Sequence, residues 1–222
     1  MKILLTNDDG VRSKGIMTLF EALSSEHQVA IVAPAREMNA TSHSLTLRRS
    51  LKVKKLKEGI ISVYGTPTDC VILAVYNLLD DFPQLIFSGI NSGPNVGEDV
   101  TYSGTVGAAL EGGIIGISSV AISFYDKGSP DYDTGMSFAL KLAKIIGENS
   151  SFKDIVLNVN IPWHPKGVKI TKLGRRTYED VVQNKGRGKY EIGGTVKYSG
   201  DQGTDLEACE QGYISITPLT LT

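Results

Sequence analysis

The sequence predicts an α/β protein with a mostly parallel sheet and a β-hairpin arm that projects from its C-terminal part. Short apolar runs alternate with segments of helical periodicity from the first residues onward. Polar, glycine-rich stretches follow two of these runs, at the sheet edge where open α/β sheets bind ligands. A Gly/Lys/Arg-rich stretch then interrupts the alternation near the end of the chain.

Residues 3–33 predict a β-α-β unit. Residues 3–5 form a continuous apolar run, typical of a strand buried on both faces of a parallel sheet. After Gly10, apolar residues recur at helical spacing as far as Leu23, and Ser13 is the expected helix cap. Residues 29–33 predict the second strand, and the crossover should be right-handed.

The later elements follow from the same patterns. Thr66 to Asp69 predicts a helix start, because a hydroxyl cap is followed by proline at the first helical position and an acidic residue in the first turn. The expected order is exposed strands with basic faces over 47–64, a helix over 70–79, a strand over 85–88, a helix from Ser103, a strand over 117–124, a helix over 135–146, and strands over 155–161, 168–173 and 213–217.

The chain is expected to form a single domain over residues 1–222, with the arm at about 174–205. Its length suits one domain with a large core. Projecting arms of this kind often exchange between subunits, so we expect a homodimer or homotetramer.

Composition excludes several classes of protein. The formal net charge is -1, which argues against a general nucleic-acid or membrane-surface binder. Cys70 and Cys209 lack the spacing of a zinc site or a disulfide framework, so both are expected to be reduced thiols. No segment predicts a signal peptide or a membrane span. These features favour a cytoplasmic location.

Asp8 and Asp9 directly follow the first apolar run and precede Gly10. Adjacent residues of a straight strand point to opposite faces, so the two carboxylates can converge only if the chain bends here, which glycine permits. Two adjacent like charges stay ionised only with water, donors or a cation between them. A divalent metal ion would satisfy this pair. The alternative is a simple turn, since Asn, Asp and Gly all favour turns.

Two further segments are expected at the same sheet edge. The polar loop over 35–46 should hang over the two aspartates, and the Gly/Asn-rich loop over 88–99 leaves the sheet after a strand. The helix that begins at Ser103, Gly104 and Thr105 offers backbone N–H groups and hydroxyls to an anion. The alternative for this segment is a tight packing contact between helix and sheet. The fingerprints of P-loop, dinucleotide-binding and α/β-hydrolase proteins are missing from the sequence.

The chain resembles the SurE family of survival-protein nucleotidases, and the resemblance covers nearly all of it. The motifs that carry it are Asn7-Asp8-Asp9-Gly10, the loop from Ala33-Pro34 to Ser44-Leu45-Thr46, Gly65-Thr66-Pro67-Thr68-Asp69-Cys70, Ser88-Gly89-Ile90-Asn91, Tyr102-Ser103-Gly104-Thr105-Val106 and Gly212-Tyr213-Ile214-Ser215-Ile216-Thr217-Pro218. The resemblance implies a Rossmann-like, three-layer fold, one divalent metal ion (Mg²⁺ or Mn²⁺) and hydrolysis of nucleoside 5′- and 3′-monophosphates.

The resemblance also implies a set of site residues. Asp8 and Asp9 would be catalytic and would bind the metal together with Asn91 and Asn39, while residues 103–105 would bind the substrate phosphate. This chain has Asn39 where the family usually has serine; an amide oxygen can still ligate a hard cation. Further residues are expected around the ligands, orienting them: Asn7, His43, Asn95 and Asp99.

Several alternatives stay open at the level of sequence. The attacking group could be water or Asp8, and His43 is a candidate general acid, although a lone loop histidine is more commonly a hydrogen-bonding residue. Tyr64 and Tyr102 could stack on a base or serve packing. The main rival function is a metal-dependent nucleotide-binding or sensing protein with weakened catalysis. An RNA-binding protein that uses the basic stretch over 172–189 is a minor alternative.

Overall fold

A computed structural model of the protein describes residues 1–125, 130–199 and 201–220. Short 3₁₀ turns cover Gly97–Thr101 and Ser150–Phe152, and a π-helical turn covers Ala74–Leu78. The other elements, in chain order, are β1 (Lys2–Thr6), α1 (Lys14–Leu23), β2 (Gln28–Pro34), β3 (Val53–Lys57), β4 (Ile60–Val63), α2 (Pro67–Leu73), β5 (Leu85–Asn91), α3 (Gly104–Ile115), β6 (Ser118–Phe124), α4 (Tyr132–Glu148), β7 (Val156–Ile161), β8 (Val168–Ile170), β9 (Arg175–Gly186), β10 (Lys189–Ser199), α5 (Asp205–Glu210) and β11 (Ile214–Leu219).

Nine strands form one sheet in the order β3-β4-β2-β1-β5-β6-β7-β11-β8. Two of the neighbouring pairs, β3 with β4 and β7 with β11, are antiparallel, and the others are parallel. From β1 the chain builds the sheet first towards β2 and β4 and then, after returning, towards β5, β6 and β7. The direction therefore reverses between β1 and β5, which is the switch point where α/β sheets bind ligands.

Helices cover both faces of the sheet, so the fold has three layers and the predicted fold class is confirmed. Residues of β1 show how the sequence produces this arrangement: Ile3 and Leu5 join the core under α1 and α4, whereas Leu4, between them, joins the core under α2 and α3. Because successive strand residues face opposite ways, a strand between two helical layers must be apolar at every position.

Three details differ from the expectations. β4 is a buried strand and not an exposed one, because it lies between β3 and β2, inside the edge of the sheet. The α-helix expected over 70–79 begins at Pro67, within the predicted helix start, where Thr66 and Asp69 form a capping box, and it changes to the π-helical turn at Ala74. Helix α5 was not predicted.

The expected arm is present as a separate two-stranded antiparallel sheet formed by β9 and β10. Residue 200 of the segment assigned to the arm, and residues 126–129, 221 and 222 of the expected domain, lie outside the described residues. Within the described ranges, no helix combines the length and apolar character needed to cross a membrane.

Candidate active site at the carboxyl edge of the sheet

The side chain of Asn7 builds the turn that follows β1. Its Nδ2 donates to the Gly10 carbonyl at 3.1 Å and to the Ser13 hydroxyl at 2.7 Å, and its Oδ1 accepts from the Gly10 N–H at 3.2 Å. Gly10 has φ +101°, a conformation that favours glycine. The turn ends the strand so that both Asp8 and Asp9 face one cavity. Asn7 itself is fully buried and serves the turn.

Asp8 is held by the start of α3. The Thr105 hydroxyl donates to Asp8 Oδ1 at 2.6 Å, and the Thr105 backbone N–H donates to Asp8 Oδ2 at 3.1 Å. Close approach of the two segments depends on Gly104, where an added Cβ would lie 3.1 Å from the Asp8 Cβ. Each carboxylate oxygen keeps a lone pair for a further partner.

A cavity of about 460 Å³ opens above this edge of the sheet. It brings together most of the residues that the sequence nominated, from five separate segments of the chain. Its lining residues are Asp8, Asp9, Glu37, Asn39, Ala40, Asn91, Ser92, Gly93, Pro94, Asn95, Asp99, Tyr102, Ser103, Arg176 and Tyr178. Tyr64, the other proposed stacking residue, lines a different cavity.

Two amides present oxygen atoms at this cavity. Asn91, at the end of β5, donates its Nδ2 to the Gly93 carbonyl at 2.7 Å. Asn39, on the exposed loop, donates its Nδ2 to the Glu37 carboxylate. Because the NH₂ group of each amide is used within the protein, the oxygen is the atom left for a ligand.

The carboxylates give the cavity an unbalanced negative charge. Burial raises the pKa of Asp8, an effect that the Thr105 hydrogen bonds oppose. Burial, followed by the negative charges of Asp8 and Glu37, raises the pKa of Asp9 to about 6. Both shifts report a site that disfavours negative charge until a donor or cation enters it.

The donor set fits a hard cation only when amide oxygens are counted. Among the described residues, no three His, Cys, Asp or Glu side chains form a metal-binding group by themselves. Asp8 and Asp9 together with the oxygens of Asn91 and Asn39 would supply four oxygen ligands, the type that Mg²⁺ and Mn²⁺ prefer.

The start of α3 is more occupied than the sequence implied. Ser103 caps the helix by accepting the Val106 N–H at 3.1 Å, and Thr105 is engaged with Asp8. The Gly104 N–H has no acceptor among the residues that the structure describes. Phosphate binding by residues 103–105 stays a prediction, with Gly104 as the donor that is available.

The remaining nominated residues have partners of their own. His43 lies outside the cavity lining and pairs its Nε2 with the Glu111 carboxylate at 2.7 Å, which ties the loop to α3. The Asn95 carbonyl accepts from the side chains of Asn158 and Asn160, at 2.7 and 3.0 Å. Asn95 also donates its Nδ2 to a serine hydroxyl of β6, so its position in the cavity wall is firmly held.

Asp99 connects the cavity to the arm. Its carboxylate accepts from the Tyr178 hydroxyl at 2.6 Å and forms an ion pair with the Arg176 guanidinium. Sequence reasoning missed Arg176 and Tyr178 because it assigned their segment to a projection away from the core. It also passed over Glu37, although the loop that carries it was expected above the two aspartates.

The fold and the cavity together define a Rossmann-like α/β protein with an acidic, oxygen-lined site at the switch point of its sheet. The chain belongs to the SurE family: the family model described as "Survival protein SurE" matches residues 3–180. The resemblance found in the sequence motifs is thereby confirmed.

Individual relatives are similar to this protein over the whole length of the chain. The "5'-nucleotidase SurE" of Geobacter metallireducens is 43% identical over 231 residues, with 100% of this chain and 92% of the relative covered. The protein of the same name from Geobacter sulfurreducens is 44% identical, covering 100% and 88% of the two chains. The solved structure of the SurE protein from Aquifex aeolicus superimposes with a TM-score of 0.88 at 39% identity, covering 100% of this chain and 95% of that one.

Proposed function

We propose that this protein hydrolyses nucleoside 5′- and 3′-monophosphates to nucleoside and phosphate, with the help of one divalent metal ion, Mg²⁺ or Mn²⁺. Its family membership and its relatives named 5′-nucleotidase make it a nucleotidase of the hydrolase class. The metal, the 3′ activity and the residue roles are the proposed part. The observation that carries them is that Asp8, Asp9, Asn91 and Ser103 line one cavity.

The proposed metal ligands are Asp8, Asp9, Asn91 and Asn39. A bound divalent ion supplies charge that polarises a phosphoryl oxygen and lowers the pKa of a coordinated water. The Thr105 hydrogen bonds hold the Asp8 carboxylate in one orientation, which reduces the rearrangement needed during the reaction.

The substrate phosphate is proposed to lie at the start of α3. The N-terminus of a helix favours an anion, and the Gly104 N–H is available to donate to it. Phosphoryl transfer depends mostly on positioning and on charge stabilisation, so a helix start beside a carboxylate pair is chemically sufficient.

The test is phosphate release from a panel of nucleoside 5′- and 3′-monophosphates, with EDTA and with added Mn²⁺ or Mg²⁺. Wild type is compared with Asp9→Asn and with the matched control Asp133→Asn, at an exposed position of α4. We expect release that requires metal, survives in the control and is abolished in Asp9→Asn. Binding of metal and nucleotide without any release would support the sensing protein instead.

We further propose that the arm over 174–205 joins protomers into a homodimer or homotetramer in the cytoplasm. Tyr190 and Ile192, on β10, are 65% and 82% exposed, so the arm presents apolar surface that a second protomer could cover. Light scattering would give the mass in solution, and a value of one protomer would overturn this proposal.

A further inference from the structure

We propose that the start of β9, which we call the root of the arm and which carries Arg176 and Tyr178, forms the nucleoside-binding wall of the active site. The ring of Tyr178 would stack on the nucleobase. This inference rests on the proposed nucleotidase function and deepens it. The wall would bind the neutral, aromatic half of a nucleoside monophosphate while the phosphate lies at α3. The arm would thus contribute to substrate binding, in addition to any role in assembly.

The first support is the position of two arm residues. Arg176 and Tyr178, on β9, line the same cavity as Asp8 and Asp9, although they lie far from them in the sequence. Tyr178 is 39% exposed, so part of its ring is accessible from the cavity. Its hydroxyl is held at 2.6 Å by Asp99, which restrains the ring.

The second support is charge. Arg176 is the only cationic residue among the lining residues that the structure describes, and its guanidinium is paired with the Asp99 carboxylate. Because this pair neutralises itself, the wall does not compete with α3 for a phosphate dianion. The guanidinium also lies 5.7 Å from the centre of the Tyr178 ring, where it supports the ring from one side.

The third support is spacing. The 3₁₀ turn Gly97–Thr101 runs directly into the start of α3, and the Ser103 N–H donates to the Asp99 carbonyl at 3.1 Å. At a 3₁₀ rise of about 2 Å per residue, Asp99 and Ser103 are at most about 8 Å apart along the turn. A phosphate at Gly104 and a base on Tyr178 would therefore lie on neighbouring parts of one cavity wall, as the two halves of one nucleotide require.

The fourth support is rigidity of the wall. Asp205, which is fully buried, accepts the Gly97 N–H at 2.9 Å and the Gly174 N–H at 2.7 Å. The Arg176 N–H adds a hydrogen bond to the Glu98 carboxylate. These bonds join the start of β9 to the turn that carries Asp99, so the wall is formed before a ligand arrives.

The experiment separates the base from the phosphate. AMP and ribose 5-phosphate carry the same reacting group, and only AMP offers a base for stacking. Wild type is compared with Tyr178→Ala, Tyr178→Phe and the control Tyr76→Ala; Tyr76 is 64% exposed on the π-helical turn and is not among the lining residues of the cavity. Each is assayed with both substrates in the presence of Mn²⁺.

Loss of one stacked base weakens binding about 5- to 150-fold. We therefore expect Tyr178→Ala to raise KM for AMP at least fivefold, with kcat within about twofold and with kcat/KM for ribose 5-phosphate unchanged. Tyr178→Phe keeps the ring and should change KM for AMP less than threefold. Tyr76→Ala should behave as wild type.

Binding of adenosine, measured by calorimetry, tests the wall without catalysis. We expect wild type to bind adenosine and Tyr178→Ala to bind it at least fivefold more weakly. If Tyr178→Ala lowers kcat/KM equally for AMP and ribose 5-phosphate, or leaves KM for AMP unchanged, the inference is overturned while the nucleotidase function stays in place. If wild type releases no phosphate, the proposed function fails, and adenosine binding that depends on Tyr178 would still support the wall.

Discussion

Thr105 donates to both oxygens of the Asp8 carboxylate, at 2.6 Å from its hydroxyl and 3.1 Å from its backbone N–H, although 97 residues separate the two in sequence. The end of β1 and the start of α3 are therefore joined at the point where we place the metal and the phosphate. A fixed carboxylate beside a helix N-terminus is suited to charge stabilisation, because its orientation is set before the substrate binds.

Thr105→Val should test this relationship, since valine keeps the shape and the backbone N–H and removes only the hydroxyl. Hydrogen bonds to charged groups contribute about 1.5–3 kcal/mol, so we expect a fall of that order in the free energy of unfolding, together with at least a tenfold fall in kcat/KM. Urea unfolding and steady-state kinetics measure the two effects. Thr105→Ser, which retains a hydroxyl, is the control; equal losses in both variants would contradict the role of the hydroxyl.

Asp9 should make the metal-free protein sensitive to pH. Its pKa in the folded state is raised from 3.8 to about 6, so stability from this group is present below pH 3.8 and is lost as pH rises towards 6. The shift corresponds to at most about 3 kcal/mol, and to less after solvent screening, because Asp9 is only partly buried.

With EDTA present, we therefore expect Asp9→Asn to melt at a higher temperature than wild type at pH 7.5, and the difference to shrink towards pH 4. Added Mn²⁺ should reverse the order at pH 7.5, because a bound cation stabilises the ionised carboxylates of wild type. Thermal melts at the two pH values measure this. A metal-free wild type that is the more stable protein at pH 7.5 would contradict the prediction.

Gly15 allows α1 to pack closely against the end of β5. A Cβ at this position would lie 2.1 Å from the Ile90 carbonyl oxygen, next to the proposed ligand Asn91. Alanine in a helix interior normally adds about 1 kcal/mol relative to glycine. Here we expect Gly15→Ala to lower the melting temperature and weaken Mn²⁺ binding, as calorimetry would show. In the control Gly193→Ala, the added Cβ meets nothing within 4 Å; similar effects in both variants would exclude the packing explanation.

Asp205 should be a major source of stability at the root of the arm. Its carboxylate accepts from the N–H groups of Gly97, Gly174 and Leu206, at 2.9, 2.7 and 2.9 Å. Because an unsatisfied buried donor costs about 1–3 kcal/mol, we expect Asp205→Ala to lower the free energy of unfolding by at least about 2 kcal/mol. Proteolysis within β9 should also become faster.

Urea unfolding and limited proteolysis measure these effects, with Asp201→Asn as an exposed control nearby. Unchanged stability in Asp205→Ala would show that water or another group satisfies the three donors.

The sequence alone was sufficient to predict those features that depend on residues close together in the chain. The continuous apolar run over 3–5 predicted a buried strand, and the hydroxyl cap, proline and acidic residue over 66–69 predicted where α2 begins, because both signals act within a few residues. Asp8 and Asp9 were nominated for the same reason, since a strand end and a glycine determine which edge of the sheet they reach.

Contacts between distant segments were decided by the tertiary structure alone. β4 is buried because it lies between two other strands. Thr105 donates its hydroxyl to Asp8 and so is not available to an anion. No pattern of neighbouring residues signals either contact. Arg176 and Tyr178 reach the cavity because Asp205, Glu98 and Asp99 join the start of β9 to the turn Gly97–Thr101. Periodicity reports which face of an element is apolar; it carries no information about which distant polar groups will meet at the edge of the sheet.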